Sequence, residues 1–173
     1  ETAFLIQNEK NPNEFNIRFF SPTVEVPFCG HATLAASKLI LDRLDQEKTT
    51  LTTHKGLVID AVFDGKYIKM KFPLYATTAY KPKAELYQAF GINDPISTRF
   101  AADLEMLIIE VTDKQAVLDI EPNFQKAVES SDEIKEVVIT SKSMDEEFDF
   151  YSRCFCPWIG INEDPVTGAS HSV

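Results

Sequence analysis

The hydrophobic pattern begins with two short β-prone runs, residues 2–6 and 16–20, parted by turn-forming Asn, Lys and Pro residues at 8–13. That arrangement predicts a β-hairpin. After Pro22 and Pro27, apolar residues at 34, 35, 39, 40, 41 and 44, with few charges before Asp42, predict a helix from Gly30 to about Arg43 that is buried on most sides. Residues 49–53, 57–63 and 67–72 then read as an antiparallel meander turning at Gly56 and at Asp64-Gly65. The second half predicts a helix over 83–90 closed by Gly91, a strand over 104–111, helical stretches near 113–119 and 122–129, and strands at 136–141 and 147–155. No Pro/Gly/Ser linker parts the two halves.

Composition narrows the function classes. The chain has 173 residues, 44% hydrophobic and 25% charged, which is the make-up of an ordinary globular protein and excludes a fibrous or disordered one. Seventeen basic against twenty-seven acidic side chains give a net charge of −10, which repels both a phosphate backbone and an anionic membrane surface. No apolar run has the length of a membrane span, and the three cysteines, Cys29, Cys154 and Cys156, are too few and odd in number for a disulfide framework. A cytoplasmic protein with no nucleic-acid or membrane partner is the expectation. Residues 129–149 carry eight acidic and two basic side chains and read as a solvated face without a function of its own.

The most informative feature is an internal similarity. Glu25, Pro27 and Gly30 recur at the same offsets as Glu163, Pro165 and Gly168, each set followed by small residues and an expected helix. A Gly at a helix start lets backbone amides come close to a ligand, and two such starts could form a double anion site. Two ordinary strand-to-helix turns account for the same pattern. Cys154 and Cys156 alternate on a strand and read as core cysteines; His54 and His171 add no metal-ligand spacing, and no metal or cofactor is expected. His171 reads as packing and His54 as a surface strand residue, while Trp158 and Phe155 either wall a cleft or fill the core. Phosphate loops, dinucleotide fingerprints and the serine-hydrolase elbow are absent from the sequence.

Three segments together resemble the signatures of the PhzF-like (phenazine biosynthesis) family, which is similar in fold to diaminopimelate epimerase: residues 18–36, residues 163–171 and the opening Glu1-Thr-Ala-Phe4. The resemblance implies an α+β fold of two pseudo-symmetric halves, 1–75 and 76–173, each a curved mixed β-sheet wrapped around a central α-helix, with the active site in the cleft between them. It also implies strands before Glu1 and a fuller second central helix after Val173.

The chemistry implied is cofactor-independent proton transfer at carbon in a small acidic metabolite. Glu1 corresponds to the family's acid/base carboxylate, a role that suits a carboxyl whose pKa is raised in a partly desolvated cleft. His31 and Asp164 complete the catalytic set, and Gly30, Cys29, Gly168, Ala169 and Ser170 are the expected substrate-binding residues. His31 near a helix start is expected to be neutral and to orient the substrate, and Asp164 to hold an amino or hydroxyl group. The family serine follows ThrGly directly, but here that place is Ala169 and the serine stands one residue on, at Ser170. A two-thiol epimerase would place a second cysteine where Thr167 stands, and a hydroxyl is too weak an acid for that role. A non-catalytic binding or protein-interaction protein that keeps the fold is the rival from another class. A homodimer is compatible with either reading.

Overall fold

The structure is a computed structural model that describes residues 2–20, 24–165 and 167–173. The chain divides into two compact units, Glu1–Pro73 and Leu74–Val173. Among the described residues, no helix is long and apolar enough to cross a membrane.

The first unit is built as the hydrophobic pattern predicts. β1 (Thr2–Gln7) and β2 (Glu14–Phe20) pair antiparallel with Thr2 opposite Phe20, so the hairpin is present. A two-residue strand, β3 (Glu25–Val26), adds to the other edge of β2 and leads into α1 (Gly30–Leu44). β4 (Lys48–Thr53) lies parallel to β2, and β5 (Val58–Phe63) and β6 (Ile68–Met70) complete the meander antiparallel. Gly56 and Gly65 turn the chain at φ of 84° and 89°, a region that residues with a Cβ seldom enter.

One face of this sheet packs on α1. Ile17, Phe19, Leu51 and Ile59 from the strands meet Cys29, Ala32, Ala36 and Ile40 from the helix and its start. Small residues on the helix let it approach the sheet closely. The buried hydroxyls on that stripe satisfy themselves: Thr33 Oγ1 donates to the Cys29 carbonyl and Ser37 Oγ to the Thr33 carbonyl, 2.7 and 2.8 Å away. The expectation of a helix buried on most sides needs correction, because Leu34 and Leu39 are 42% and 46% exposed. The buried stripe runs through 32, 33, 36, 37, 40 and 41, a helical period that leaves 34, 35 and 39 on the opposite arc.

The second unit holds its sheet in the order β12-β11-β10-β9-β8-β7. In chain order its elements are β7 (Thr78–Ala79), α2 (Ala84–Ala89), β8 (Ser97–Ala101), β9 (Met106–Glu110), α3 (Lys114–Leu118), α4 (Phe124–Ser130), β10 (Glu136–Lys142), β11 (Phe150–Cys156) and β12 (Ile161–Asp164). β9 and β10 run parallel and every other pairing is antiparallel, so both sheets are mixed. The α+β class follows directly. Alternation on the central strands sends Leu107, Ile109, Val137, Ile139 and Phe155 to the face covered by Leu86 and Ala89 of α2, Val117 of α3 and Ala127 of α4. The opposite face carries Met106, Val138 and Cys154, against which Ala169 and Val173 pack.

The four strands that the pattern does not announce are β3, β7, β8 and β12. Three are very short or exposed, and β8 carries Ser, Thr and Arg among its five residues. Pairing with a neighbour, more than apolar alternation, makes them strands. The second expected helix start is also different: Ala169–Ser172 form a 3-10 turn.

Candidate active site

The first-unit residues of the candidate site sit where β3 meets α1. Cys29 is the N-cap, extended at φ −147° and ψ 110°, and 7% exposed. Gly30 and His31 open the helix itself, Gly30 half-buried and His31 exposed. The Cys29 Sγ lies 3.4 Å from His31 Nε2 and 3.6 Å from Nδ1. The Cys29 side chain makes no cap bond to a helix amide, and no acidic residue lies in the first turn. A fifteen-residue helix thus directs its positive end and first-turn N–H groups toward Cys29.

The second-unit residues follow β12. Asp164 ends that strand half-buried, opposite Cys154. Thr167 Oγ1 donates to Asp164 Oδ2 at 2.7 Å, and Ser170 Oγ donates to the Thr167 carbonyl at 2.8 Å. Gly168 has helical dihedrals, φ −65° and ψ −36°, so its backbone needs no special freedom. Ala169 packs on the Met106 and Val138 face, and the Ser172 carbonyl accepts from the Tyr75 amide at 2.7 Å, which fixes the turn to the unit. Glu1 lies outside the described residues.

Residues not singled out in the sequence crowd the same face. Glu136 accepts a hydrogen bond from the Cys154 thiol, and burial pushes the Glu136 carboxyl above its ordinary range, with the nearby Asp164 charge adding to the shift. The acidic stretch 129–149 is therefore not uniformly a solvated face. Glu136 shares a face with the buried Val138 two residues on, and that alternation is the signal that marks it. Cys156 is pushed up to about 11, first by burial and then by the Glu136 and Asp164 charges. Cys154 is shifted upward too, again chiefly by burial, so both thiols stay protonated at neutral pH. They are buried, as core cysteines should be. Phe155 is fully buried; Trp158 packs partly buried against the same core and donates Nε1–H to the Ser131 carbonyl at 2.8 Å. His54 sits in the turn after β4, its Nδ1 3.4 Å from Glu25, and His171 lies in the 3-10 turn with its ring 5.7 Å from that of Phe150.

A mixed sheet in each unit and a repeated Glu-x-Pro-x-x-Gly lead define an α+β protein of the diaminopimelate epimerase-like type. The chain belongs to the phenazine biosynthesis-like protein (PhzC-PhzF) family, which it matches over residues 1–173. It is 35% identical to an uncharacterized isomerase of Halalkalibacterium halodurans, over 99% of this chain and 63% of that protein. It is 32% identical to the phenazine biosynthesis-like domain-containing protein 1 of Mus musculus, over 100% of this chain and 66% of that one. A PhzF-family phenazine biosynthesis protein of Enterococcus faecalis superposes with a TM-score of 0.80 at 28% identity, over 99% of this chain and 62% of the other. The chain thus spans just under two thirds of the length of the relatives it matches.

Proposed function

We propose that the protein is a cofactor-independent isomerase that moves a proton between carbon atoms of a small acidic metabolite. The observation that carries this reading is the start of α1, a fifteen-residue helix that opens on Gly30 and His31 with its first-turn N–H groups and positive dipole end. The positive end of a helix of this length favours a carboxylate. The name of the Halalkalibacterium halodurans relative, an isomerase, supports the same class.

In this reading the Gly30–His31 amides bind the substrate carboxylate. Glu1 takes a proton from a carbon beside a carbon–carbon double bond and returns it at the far carbon of that bond, the double bond moving one place between them, which a single carboxyl can do if its pKa is near neutrality. Asp164 accepts from a substrate amino or hydroxyl group, with one oxygen already occupied by the Thr167 hydroxyl. Ser170 donates its own hydroxyl hydrogen to the Thr167 carbonyl, so its role is to hold the turn. The geometry gives the two-thiol alternative no support: Thr167 takes the second place, and Cys154 and Cys156 hold their protons. The test is solvent-deuterium incorporation at carbon by the protein across a panel of unsaturated and amino acids. Incorporation that is lost in Glu1→Gln is expected. Acids that bind equally to wild type and Glu1→Gln with no deuterium entering either would instead identify a binding protein.

A further inference from the structure

The internal repeat extends further than its Glu, Pro and Gly residues. In the first unit Arg18 makes a fork to Glu25, with Nε 2.8 Å from Oε1 and Nη2 2.7 Å from Oε2. In the second unit Arg153 makes the same fork to Glu163, at 2.8 and 2.9 Å. Each arginine also lies over a phenylalanine two residues on, Arg18 5.2 Å from the Phe20 centroid and Arg153 4.9 Å from that of Phe155. The strand registers agree as well. The residue after each arginine stands opposite the residue after each glutamate: Phe19 opposite Val26, and Cys154 opposite Asp164.

We propose that these matched Arg-x-Phe and Glu forks are positioning elements, one in each unit, that set the register of the short strand delivering the residues of the proposed active site. The inference rests on the isomerase reading for its activity readout only. A two-residue or four-residue edge strand has few ladder bonds to fix it, and a strand slipped by one residue turns every side chain to the other face. A bidentate guanidinium–carboxylate pair accepts only one such alignment. With Glu163 held on the Phe155 face, alternation sends Asp164 to the opposite face, where Thr167 meets it. With Glu25 held outward, Val26 turns into the α1 core and the chain reaches Cys29 as the helix cap. Exposed ion pairs add little to stability, so a pair kept twice in one geometry is better explained by alignment.

Glu163→Gln is the cleaner variant, because Arg153 keeps its Nη1 bonds to the Val117, Leu118 and Ile120 carbonyls. The expected result is a shift of the Gly168 and Ala169 amide resonances with an unchanged thermal midpoint. Deuterium incorporation into whichever acid the panel identifies should fall roughly tenfold in kcat/KM, as misplacement of a site residue does. Arg153→Lys, which keeps the charge but loses the fork and the Nη1 bonds, should shift the same amides and lower turnover alike, with a reduced thermal midpoint. In the first unit, Arg18→Glu and Glu25→Arg should each shift the Gly30 and His31 amides, and the double variant should restore them. Wild-type amide positions and turnover in Glu163→Gln and Arg153→Lys would overturn the proposal, as would a double variant no better than its parents. If no acid in the panel takes up deuterium, the isomerase reading fails and the amide shifts still decide this one.

Discussion

The two units share a strand lead and differ in what their sheets rest on. In the first, one sheet face meets a single fifteen-residue helix, and the lead through Glu25 runs straight into that helix. In the second, three short helices cover one face, and the lead through Glu163 runs to a 3-10 turn on the other. The repeat is thus a device of strand register, the same in both units. It also separates the chemistry of the site from the mass of the fold, since the residues after each glutamate are Val26 in one unit and Asp164 in the other.

Removing a large core side chain tests this contrast most strongly. Phe155 is fully buried, stacks near Phe90 and Phe124, and closes the core under the helices of the second unit. Phe155→Ala is expected to destabilise that unit by about 3–5 kcal/mol. Ile40→Ala in α1 should cost the first unit about 2–5 kcal/mol. Hydrogen exchange resolved by residue checks both, with each variant loosening amides of its own unit. Equal loosening in both units from either change would show that the two cores are not separate.

The first unit was more legible in the sequence than the second, and for physical reasons. β1, β2, β4 and β5 are long enough for apolar alternation to show, and α1 opens on a Gly and ends at Asp45 in a left-handed cap. β8 and β12 are made strands by their neighbours, so their polar runs STRFA and INED carry no such pattern. Of the site, Glu25, Gly30, Glu163 and Gly168 stood out because their offsets are identical. The arginines did not, because seven residues separate Arg18 from Glu25 and ten separate Arg153 from Glu163. Only the folded register aligns them.

Glu136 tests the polar face of the second unit. Its folded pKa is raised, so the folded state holds that proton more tightly than the unfolded chain. Its contribution to stability is therefore fully present below the ordinary carboxylate range and is lost as pH rises through the folded value. Glu136→Gln should leave stability near pH 4 unchanged and raise it at pH 8 by on the order of 1 kcal/mol, as relief of a buried charge does. Urea unfolding at the two pH values measures this. A variant less stable than wild type at pH 8 would mean that the Cys154 bond outweighs the cost of burial.

The smallest effects concern how the helices begin. α3 and α4 are capped by side chains, Asp113 accepting from the Ala116 amide at 2.9 Å and Asn123 from the Lys126 amide at 3.0 Å. Asp113→Ala and Asn123→Ala should each cost about 1 kcal/mol, read from urea unfolding. At the start of α1, Cys29 occupies the cap position and its side chain makes no cap bond to a first-turn amide. Cys29→Ser supplies a hydroxyl of similar size at that place and should stabilise α1 by at most about 1 kcal/mol. The same hydroxyl would occupy an amide that the proposed function reserves for substrate, so acid binding should weaken as the helix gains. A Cys29→Ser protein that is both more stable and unchanged in acid affinity would show that the start of α1 is not where the carboxylate binds.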